Sequence, residues 1–431
     1  MNYFQKEIEC MPREEMRKLQ AERLVSTIEY TYNNSPFYKK RFDEAGIKPS
    51  DIKSLDDLHK IPFTTKQDFT DNYPFGLFAR PMKDIVRIHA SSGTTGKPKV
   101  VGYTREDMNT WSDLIARLVV MAGGSNEDIA QVAFGYGLFT GGFGLHQGLE
   151  KVGVTVVPMS SGNTEKQIML MRDFGSTILV ATPTYALHIA EVLEEMNVPK
   201  EEIKLKIGMF GGEGHTEEMR KVLEEKLGII STENYGLSEV MGPGVAGECI
   251  YKKGLHIAED CFIIEIINPE TGELVPDGEL GEVVITTIKK EGIPILRYRT
   301  HDISYIISEQ CECGRTSRRL AKMQGRSDDM LIIKGVNVFP SQVESVLLGI
   351  DHISPYYQLI VSKEGYNDRL EIRVELIDDS LLDSYTKLEA LEKEIQHKLH
   401  VVLGLVAKVK LVEPKTIERT TGKAKHVIDN R

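Results

Sequence analysis

The stretch from residue 128 to residue 234 decides the fold, because short apolar runs alternate there with amphipathic segments. The apolar runs are IAQVAF (129–134), VTVVPM (154–159), TILVAT (177–182), KIGMF (206–210) and GIISTENYG (228–236). Helix candidates lie between them at 164–174, 183–195 and 216–226. Strands that alternate with helices form a parallel sheet with helices covering its faces. The stretch therefore predicts an α/β core.

The flanking sequence predicts three further parts. The first ninety residues show the helical periodicity of an N-terminal layer. From residue 255 to residue 307, short strands are separated by the turn sequences NPETG and PDGELG, which predicts an antiparallel or barrel-like section. After Gly325-Arg326, about 100 residues in a βαββαβ-like order predict a small α+β domain. We place the hinge at 327–329, which divides the chain into a large domain (1–327) and a small mobile domain (328–431).

Composition indicates an ordinary folded protein. A chain of 431 residues is too long for one small hydrophobic core, and we expect roughly two or three domains. The net charge of -11 is spread along the chain, which argues against a general affinity for nucleic acid or for an anionic membrane. The acidic start lacks the apolar core of a secretory signal, and no apolar run approaches the length that spans a bilayer. We therefore predict a cytoplasmic protein.

The segment SSGTTGKPK (91–99) is rich in glycine, hydroxyl groups and lysine. Small residues let backbone N–H groups surround phosphate oxygens, while hydroxyls and lysine add hydrogen bonds and positive charge. The alternative is a polar hairpin loop. A Walker A loop is disfavoured because Gly93 and Gly96 are too close together and Pro98 follows the lysine. The candidate phosphate ligands are Ser91, Ser92, Gly93, Thr94, Thr95, Gly96 and Lys97.

Four residues predict a structural metal site. Cys249 and His256 lie close together, and Cys311 and Cys313 follow about sixty residues later. Three thiolates and one imidazole are a normal ligand set for tetrahedral structural zinc. The alternative is a group of thiols without a metal, like Cys261, which we interpret as a buried strand residue. The odd total of five cysteines argues against a disulfide framework.

These motifs together resemble the adenylate-forming acyl-CoA synthetase superfamily, and within it they are most similar to the phenylacetate-CoA ligase family. The resemblance runs from SPFYKKRFDEAGI (35–47) to TTGKAKHVIDNR (420–431). It implies an AMP-forming ligase that converts phenylacetate or a close arylacetate, ATP and CoA into the thioester, AMP and pyrophosphate. It further implies an acyl-adenylate intermediate, Mg²⁺ bound with ATP, and, by analogy, a homodimer.

The resemblance assigns FGGE (210–213) and NYGLSE (234–239), which end two predicted strands, to the nucleotide. Tyr235 is expected to stack on adenine and Glu239 to hold magnesium. Ser238 stands where many relatives have threonine, and either hydroxyl can bond a phosphate oxygen. The residues expected around the base are Gly212, Glu213, Asn234, Tyr235 and Gly236.

The remaining nucleotide and CoA roles also come from the resemblance. Asp302 is expected to accept hydrogen bonds from both ribose hydroxyls, and Arg326 to contact the ribose or a phosphate. Asp302 paired with Arg297 or Arg299 on the surface is the alternative. Asp328 is expected to be the hinge, and Lys334 and Gly335 to face CoA after the small domain rotates. Lys423 is expected to be the catalytic lysine, with Lys425 as its competitor.

The segment FGYGLFTGGFG (134–144) alternates aromatic rings with glycines. Aromatic walls suit a planar, apolar acid, so Tyr136, Phe139 and Phe143 are the predicted wall of the acid pocket. Rings at such spacing are otherwise ordinary core residues. The sequence does not decide whether His146 is packed or polar.

Three alternatives stay open. The sequence Gly214-His215-Thr216 stands where many relatives have Pro-Trp, so another aryl acid is an alternative substrate. A relative that adenylates a deazaflavin cofactor shares much of the pattern and needs no thiol. A catalytically silent nucleotide-binding module is the alternative from a different class.

Overall fold

The computed structural model describes residues 2–91, 98–327, 330–333, 336–364, 367–382, 384–420 and 424–431. The α-helices are α1 (Lys6–Glu9), α2 (Arg13–Asn34), α3 (Pro36–Glu44), α4 (Lys66–Asp71), α5 (Arg105–Met121), α6 (Thr140–Val152), α7 (Thr164–Phe174), α8 (Pro183–Glu195), α9 (Glu217–Leu227), α10 (Pro340–Leu347) and α11 (Tyr385–Leu403).

The strands of the described residues belong to five sheets. The strands up to residue 287 are β1 (Arg87–Ala90), β2 (Val100–Tyr103), β3 (Ile129–Val132), β4 (Thr155–Val157), β5 (Ile178–Ala181), β6 (Ile207–Gly211), β7 (Ile230–Leu237), β8 (Gly242–Glu248), β9 (Leu255–Ile257), β10 (Phe262–Ile267) and β11 (Gly281–Thr287). The later strands are β12 (Tyr298–Ser304), β13 (Ile306–Ile307), β14 (Arg319–Leu320), β15 (Gly325–Arg326), β16 (Leu331–Ile333), β17 (Val336–Val338), β18 (Ile353–Glu364), β19 (Asn367–Leu376), β20 (Lys408–Val412) and β21 (Val427–Asp429).

The predicted α/β core is confirmed. The five apolar runs form β3 to β7, which are parallel in the order β4-β3-β5-β6-β7. Successive side chains of a strand point to opposite faces. In β5, Ile178 and Val180 accordingly pack in the cluster that contains Trp111 of α5. Leu179 lies in the cluster of α7, α8 and α9 on the other face. Burial on both faces explains why these runs are almost wholly apolar.

This sheet is wider than the sequence predicts. Four antiparallel strands extend it beyond β7 in the order β8-β9-β14-β13 and bring it to nine strands among the described residues. The turn from β7 into β8 is tight: a Cβ on Gly236 would lie 1.9 Å from the carbonyl oxygen of Gly242. Only glycine permits this approach, so Gly236 is required by the turn that follows the predicted nucleotide motif.

The section predicted as antiparallel or barrel-like is an open sheet. Among the described residues it has four antiparallel strands in the order β10-β11-β12-β15. The turn signals identified its hairpins, but closure into a barrel depends on strand number and stagger, which local turns do not encode. The predicted N-terminal helical layer covers this sheet, since Leu24 of α2 and Phe42 of α3 pack with Ile263 and Leu296.

The C-terminal unit has its own core and the predicted α+β character. Its sheet has the order β20-β19-β18-β21, and α10 and α11 pack against it. The elements β17, α10, β18, β19, α11 and β20 follow the predicted βαββαβ-like order. Within the described residues, no helix is long and apolar enough to cross a membrane.

Candidate active site

The strands β1 and β2 form a hairpin, and the predicted phosphate segment lies between them in the sequence. β1 ends at Ala90 and β2 begins at Val100, and these two residues pair across the hairpin. Ser91 N donates a 3.0 Å hydrogen bond to Lys99 O, which continues the pairing by one residue. The other predicted phosphate ligands, Ser92, Gly93, Thr94, Thr95, Gly96 and Lys97, lie outside the described residues.

Glu239 is buried just beyond β7 and faces the same hairpin. Its Oε1 accepts a 2.6 Å hydrogen bond from Nζ of Lys99 and a 3.3 Å bond from the hydroxyl of Tyr298. Burial first, and then the charge of Glu239, raise the pKa of Tyr298 well above 10, so this phenol stays a proton donor. The predicted magnesium ligand therefore accepts hydrogen bonds from a lysine and from a phenol.

Asp302 lies on β12 and connects two other predicted nucleotide residues. Its Oδ2 accepts a 2.6 Å hydrogen bond from the hydroxyl of Tyr235, and its Oδ1 accepts a 2.8 Å bond from Nη1 of Arg326. Burial and the Asp302 charge raise the pKa of Tyr235 well above 10. The structure thus brings Tyr235, Asp302 and Arg326 together. The surface pairing of Asp302 with Arg297 or Arg299 is not formed: those arginines bond Glu265 and Glu282 instead.

Residues at the ends of β6 and β7 form a further part of the candidate active site. Asn234 Nδ2 donates a 2.8 Å hydrogen bond to Phe210 O, which ties the two strand ends together. Gly212 has a φ of 86°, the left-handed region in which glycine is unstrained. The hydroxyl of Ser238 lies 2.9 Å from that of Thr140, the first residue of α6. Glu213 accepts hydrogen bonds from Thr184 N at 2.8 Å and from Ala424 N at 2.9 Å.

Lys99, Thr140 and Tyr298 were not predicted as site residues. Lys99 lies inside the quoted phosphate segment, two residues beyond the lysine that was chosen. Tyr298 and Asp302 are both buried on β12, whose alternating burial puts them on one face. That period of two was a usable signal. No sequence signal indicated Thr140, because its contact with Ser238 joins positions far apart in the sequence.

Two of the three predicted pocket rings are in contact. The rings of Tyr136 and Phe143 pack edge to face with centroids 5.1 Å apart. Phe139 is 41% exposed, and no ring contact to it is recorded among the described residues. His146 is polar in its contacts: Nδ1 lies 3.0 Å from the hydroxyl of Tyr136, and Nε2 lies 3.1 Å from Glu150. His215, from the segment that departs from Pro-Trp, is buried against Phe210 and bonds Ser231.

The four predicted zinc ligands form one buried cluster. Their ligand atoms all lie within 4.8 Å of one another, with Cys249 Sγ 3.7 Å from Cys311 Sγ and Cys313 Sγ 3.3 Å from His256 Nε2. Tetrahedral zinc with Zn–S bonds of about 2.3 Å separates its sulfur ligands by roughly 3.8 Å, so the cluster fits the ion. The other ring nitrogen of His256 bonds Ser317 Oγ at 3.2 Å, as expected of a ligating imidazole.

The electrostatics of this cluster favour a thiolate. Hydrogen bonds from Cys249 and then from His256 lower the pKa of Cys313 to about 2. A thiolate is the form that binds a metal. Cys261 lies apart, buried directly before β10, with its Sγ 3.4 Å from Asp260. The cluster is a Cys/His site that could hold a metal ion.

Comparisons with known proteins identify the family. The sequence model of the AMP-binding enzymes matches residues 14–289, and that of their C-terminal domain matches residues 335–431. The chain belongs to the AMP-binding enzyme family. Within it, the phenylacetate-coenzyme A ligase of Aromatoleum evansii is 50% identical over 427 residues, which cover 98% of this chain and 96% of that relative. This AMP-binding enzyme therefore belongs among the phenylacetate-coenzyme A ligases.

Two solved structures of a 2-hydroxyisobutyryl-CoA ligase, 28% identical to this AMP-binding enzyme, superpose on it to different extents. The ligase in the postadenylation state, in complex with R3-HIB-AMP, superposes with a TM-score of 0.93 over 99% of this chain and 92% of that chain. The same ligase in the thioesterification state, with 2-HIB-AMP and CoA, gives 0.74 over 100% and 92%. This structure therefore superposes better on the postadenylation structure of that ligase than on its thioesterification structure.

Three predicted sites cannot be compared with the structure. The hinge Asp328, the CoA-facing Lys334 and Gly335, and the catalytic Lys423 lie outside the described residues. Ala424, which follows Lys423, is described, and its N–H bonds Glu213. Ala424 therefore contacts a residue that follows the end of β6.

Proposed function

We propose that this protein is an AMP-forming ligase that converts phenylacetate, ATP and CoA into phenylacetyl-CoA, AMP and pyrophosphate. The observation that carries the proposal is the pairing of two buried carboxylates, Glu239 and Asp302, with Lys99 and Tyr235 beyond the ends of the parallel strands. Ligands of α/β sheets bind at this edge. The identity to phenylacetate-coenzyme A ligases gives the substrate.

The ribose would bind at Asp302. A carboxylate oxygen only accepts hydrogen bonds, and both hydroxyls of a ribose can donate them. The contacts from Tyr235 and Arg326 hold the Asp302 carboxylate in place. Adenine would then lie at the strand ends, along Gly212 and Tyr235, with Glu213, Asn234 and Gly236 beside it.

The phosphates would lie between Glu239 and the 91–97 segment. A carboxylate oxygen is a normal ligand for Mg²⁺, so Glu239 would hold the ion that accompanies ATP. That ion would supply positive charge to the phosphate oxygens. Ser238 would bond a phosphate oxygen, and Lys99 would orient Glu239 through their 2.6 Å contact. Positioning and charge stabilisation would provide most of the rate enhancement.

The first step is attack by the phenylacetate carboxylate on the α-phosphorus, which breaks the α–β phosphoanhydride bond and releases pyrophosphate. Tyr136 and Phe143 would form the aromatic wall that holds the phenyl ring, with Phe139 at its exposed end. Lys423 would neutralise the charge that develops on the α-phosphate. The product is the mixed anhydride phenylacetyl-AMP.

The second step is attack by the CoA thiol on the acyl carbon, with AMP as the leaving group. We propose that the domain boundary lies at 327/328 and that the small domain turns about Asp328 between the steps. This rotation would withdraw Lys423 and bring Lys334 and Gly335 toward CoA. Such gating keeps the anhydride away from water.

We propose zinc as the ion of the Cys249, His256, Cys311 and Cys313 cluster. With four protein ligands no coordination position is left for a substrate, so the role would be structural. The ligands come from β9 and from the segments that follow β8 and β13, which the ion would join. A homodimer and a cytoplasmic location remain predictions.

Exchange of labelled pyrophosphate into ATP tests the first half-reaction. We expect exchange with phenylacetate, weaker exchange with ring-substituted arylacetates, and little with short fatty acids. Addition of CoA should divert the adenylate to thioester. If an aryl acid other than phenylacetate supports the fastest exchange, the substrate assignment fails. If no acid supports exchange, adenylation itself is rejected.

A further inference from the structure

One face of α8 contacts the C-terminal unit. Glu191 and Glu195 are four residues apart and therefore lie on the same side of the helix. The hydroxyl of Tyr356 donates a 2.9 Å hydrogen bond to Oε2 of Glu191. Lys415 Nζ lies 2.7 Å from Oε1 of Glu195. Tyr356 and Lys415 both belong to the C-terminal unit, so these contacts cross between the two parts of the chain.

Tyr356 is held in place from its own side of this interface. The guanidinium of Arg419 lies 3.5 Å from the centroid of the Tyr356 ring, and Nη2 of Arg419 bonds Oε1 of Glu375 at 2.6 Å. Arg419 Nε also lies 3.5 Å from Oε2 of Glu191. Tyr356 is only 5% exposed, and burial first raises the pKa of its phenol, so the hydroxyl remains a donor. A buried hydrogen bond to a carboxylate is stronger than an exposed ion pair such as Lys415–Glu195.

The N-terminal end of α8 is tied to the same unit through Glu213. This carboxylate accepts one hydrogen bond from Thr184 N in the first turn of α8 and one from Ala424 N. Contacts along α8 therefore reach both the body of the C-terminal unit and the segment next to Lys423. They are formed in the arrangement that superposes on the postadenylation state, and a rotation of the unit would separate them.

We propose that Glu191, Tyr356 and Arg419 form a latch, here called the α8 latch, that holds the C-terminal unit in the adenylation arrangement. Its members are positioning residues: they touch no substrate and act through the placement of the C-terminal unit. The α8 latch sets the equilibrium between the arrangements of the C-terminal unit that serve the two half-reactions. This inference rests on the proposed two-step function.

The variant Tyr356→Phe tests the α8 latch because it removes one hydroxyl and retains the ring that packs on Arg419. Loss of a hydrogen bond to a charged acceptor should shift the equilibrium between arrangements by on the order of tenfold. We expect a severalfold fall in the maximal rate of pyrophosphate exchange, with the KM values for ATP and phenylacetate unchanged. Thioester formation from supplied phenylacetyl-adenylate and CoA should be unchanged or faster. Glu191→Gln should act in the same direction.

The matched control is Tyr385→Phe, which removes a phenol hydroxyl from a residue that is 79% exposed in the same unit. It should leave both half-reactions at the wild-type rate. Equal losses in both half-reactions of Tyr356→Phe, or no loss in either, would overturn the α8 latch. If the wild-type protein performs neither half-reaction, the proposed function fails, and the distance measurement below still decides on the latch.

That measurement is the distribution of distances between spin labels at Lys166 of α7 and Glu392 of α11, both exposed. The wild-type protein with ATP should give mainly one distance. Tyr356→Phe should move a larger fraction of molecules to a second distance, whereas Tyr385→Phe should not. Identical distributions for all three proteins would reject the α8 latch independently of any activity.

Discussion

The Nζ of Lys99 lies 2.6 Å from Oε1 of Glu239, and both side chains are largely buried, at 16% and 7% exposure. The two residues lie 140 positions apart in the sequence and meet because β2 reaches the end of β7. A buried carboxylate without a compensating charge would be costly. Lys99 therefore supplies the compensating charge for Glu239 at the position where the phosphates are proposed to bind.

Replacement of Glu239 by glutamine should slow adenylation. The amide keeps the shape but lacks the charge that would hold Mg²⁺, so we expect a loss on the order of 100-fold in the rate of pyrophosphate exchange. The assay should be run at several magnesium concentrations. Glu279→Gln, at an exposed carboxylate, is the control and should retain the wild-type rate. A Glu239→Gln variant with normal exchange would remove Glu239 from the mechanism.

Removal of the Tyr235 hydroxyl should weaken ATP binding. Tyr235→Phe deletes the 2.6 Å hydrogen bond to Asp302 and leaves the Arg326 contact in place. Asp302 would then be less firmly oriented toward the ribose, and the KM for ATP should rise by roughly tenfold. Steady-state kinetics with ATP varied checks this. An unchanged KM for ATP, with the KM for phenylacetate raised instead, would place Tyr235 in the acid pocket.

The sequence predicted the elements whose signals are local. The strands β3 to β7 were predicted from apolar runs of strand length between amphipathic helices. Each run can be identified from its own residues, without knowledge of its partner strands. The extension by β8, β9, β14 and β13 was missed because β14 pairs with β9 across more than sixty positions. Whether a set of antiparallel strands closes into a barrel depends on the register between distant strands. No local feature of the sequence could therefore show that the section interpreted as barrel-like is an open sheet.

The residues of the candidate site also divide into those with a local sequence signal and those without one. Tyr235 and Glu239 were found because they stand in one motif at a strand end. The Cys/His cluster was found from residue types that rarely occur together by chance. Lys99 was missed as the partner of Glu239, since an ion pair between distant segments leaves no pattern in either segment. Tyr298 was missed although the alternation along β12 places it on the face of Asp302. Phe139 was grouped with Tyr136 by spacing alone, but it lies directly before α6 and is 41% exposed.

Metal removal should destabilise the protein. If zinc occupies the Cys249, His256, Cys311 and Cys313 cluster, chelation should lower the thermal unfolding midpoint by roughly 5 °C or more, because a ligand bound only to the native state stabilises it. Elemental analysis should find one zinc per chain, lost in Cys313→Ser and retained in the control Cys10→Ser. Purified wild-type protein without stoichiometric metal, and with a midpoint insensitive to chelators, would contradict the zinc proposal.

Glu344 should make stability dependent on pH. This α10 residue is buried, and burial first, then the charges of Glu213 and Glu218, raise its pKa to about 8, while a hydrogen bond from Thr216 acts in the opposite direction. Tyr357 also packs nearby and is held neutral by burial. In the unfolded chain the glutamate pKa is about 4.3, so the unfolded state releases the proton first as pH rises. The contribution of Glu344 is therefore fully present below about pH 4.3 and is lost as pH rises to about 8.

The measurement is the free energy of unfolding of the wild-type protein and of Glu344→Gln between pH 5 and pH 8.5. The wild type should lose on the order of 2–4 kcal/mol more than the variant over this range. The amide cannot ionise, so the variant should show a flatter profile. Parallel profiles for the two proteins would show that Glu344 is not the group responsible.

The central claim is that the carboxylate of phenylacetate attacks the α-phosphorus of ATP. A single incubation with phenylacetate labelled by ¹⁸O in both carboxylate oxygens, ATP and CoA tests it directly by mass spectrometry of the products. Attack at the α-phosphorus leaves one ¹⁸O in AMP and one in phenylacetyl-CoA for every turnover, with unlabelled pyrophosphate released. Formation of ADP, or of AMP that carries no ¹⁸O, would contradict an acyl-adenylate mechanism for this protein.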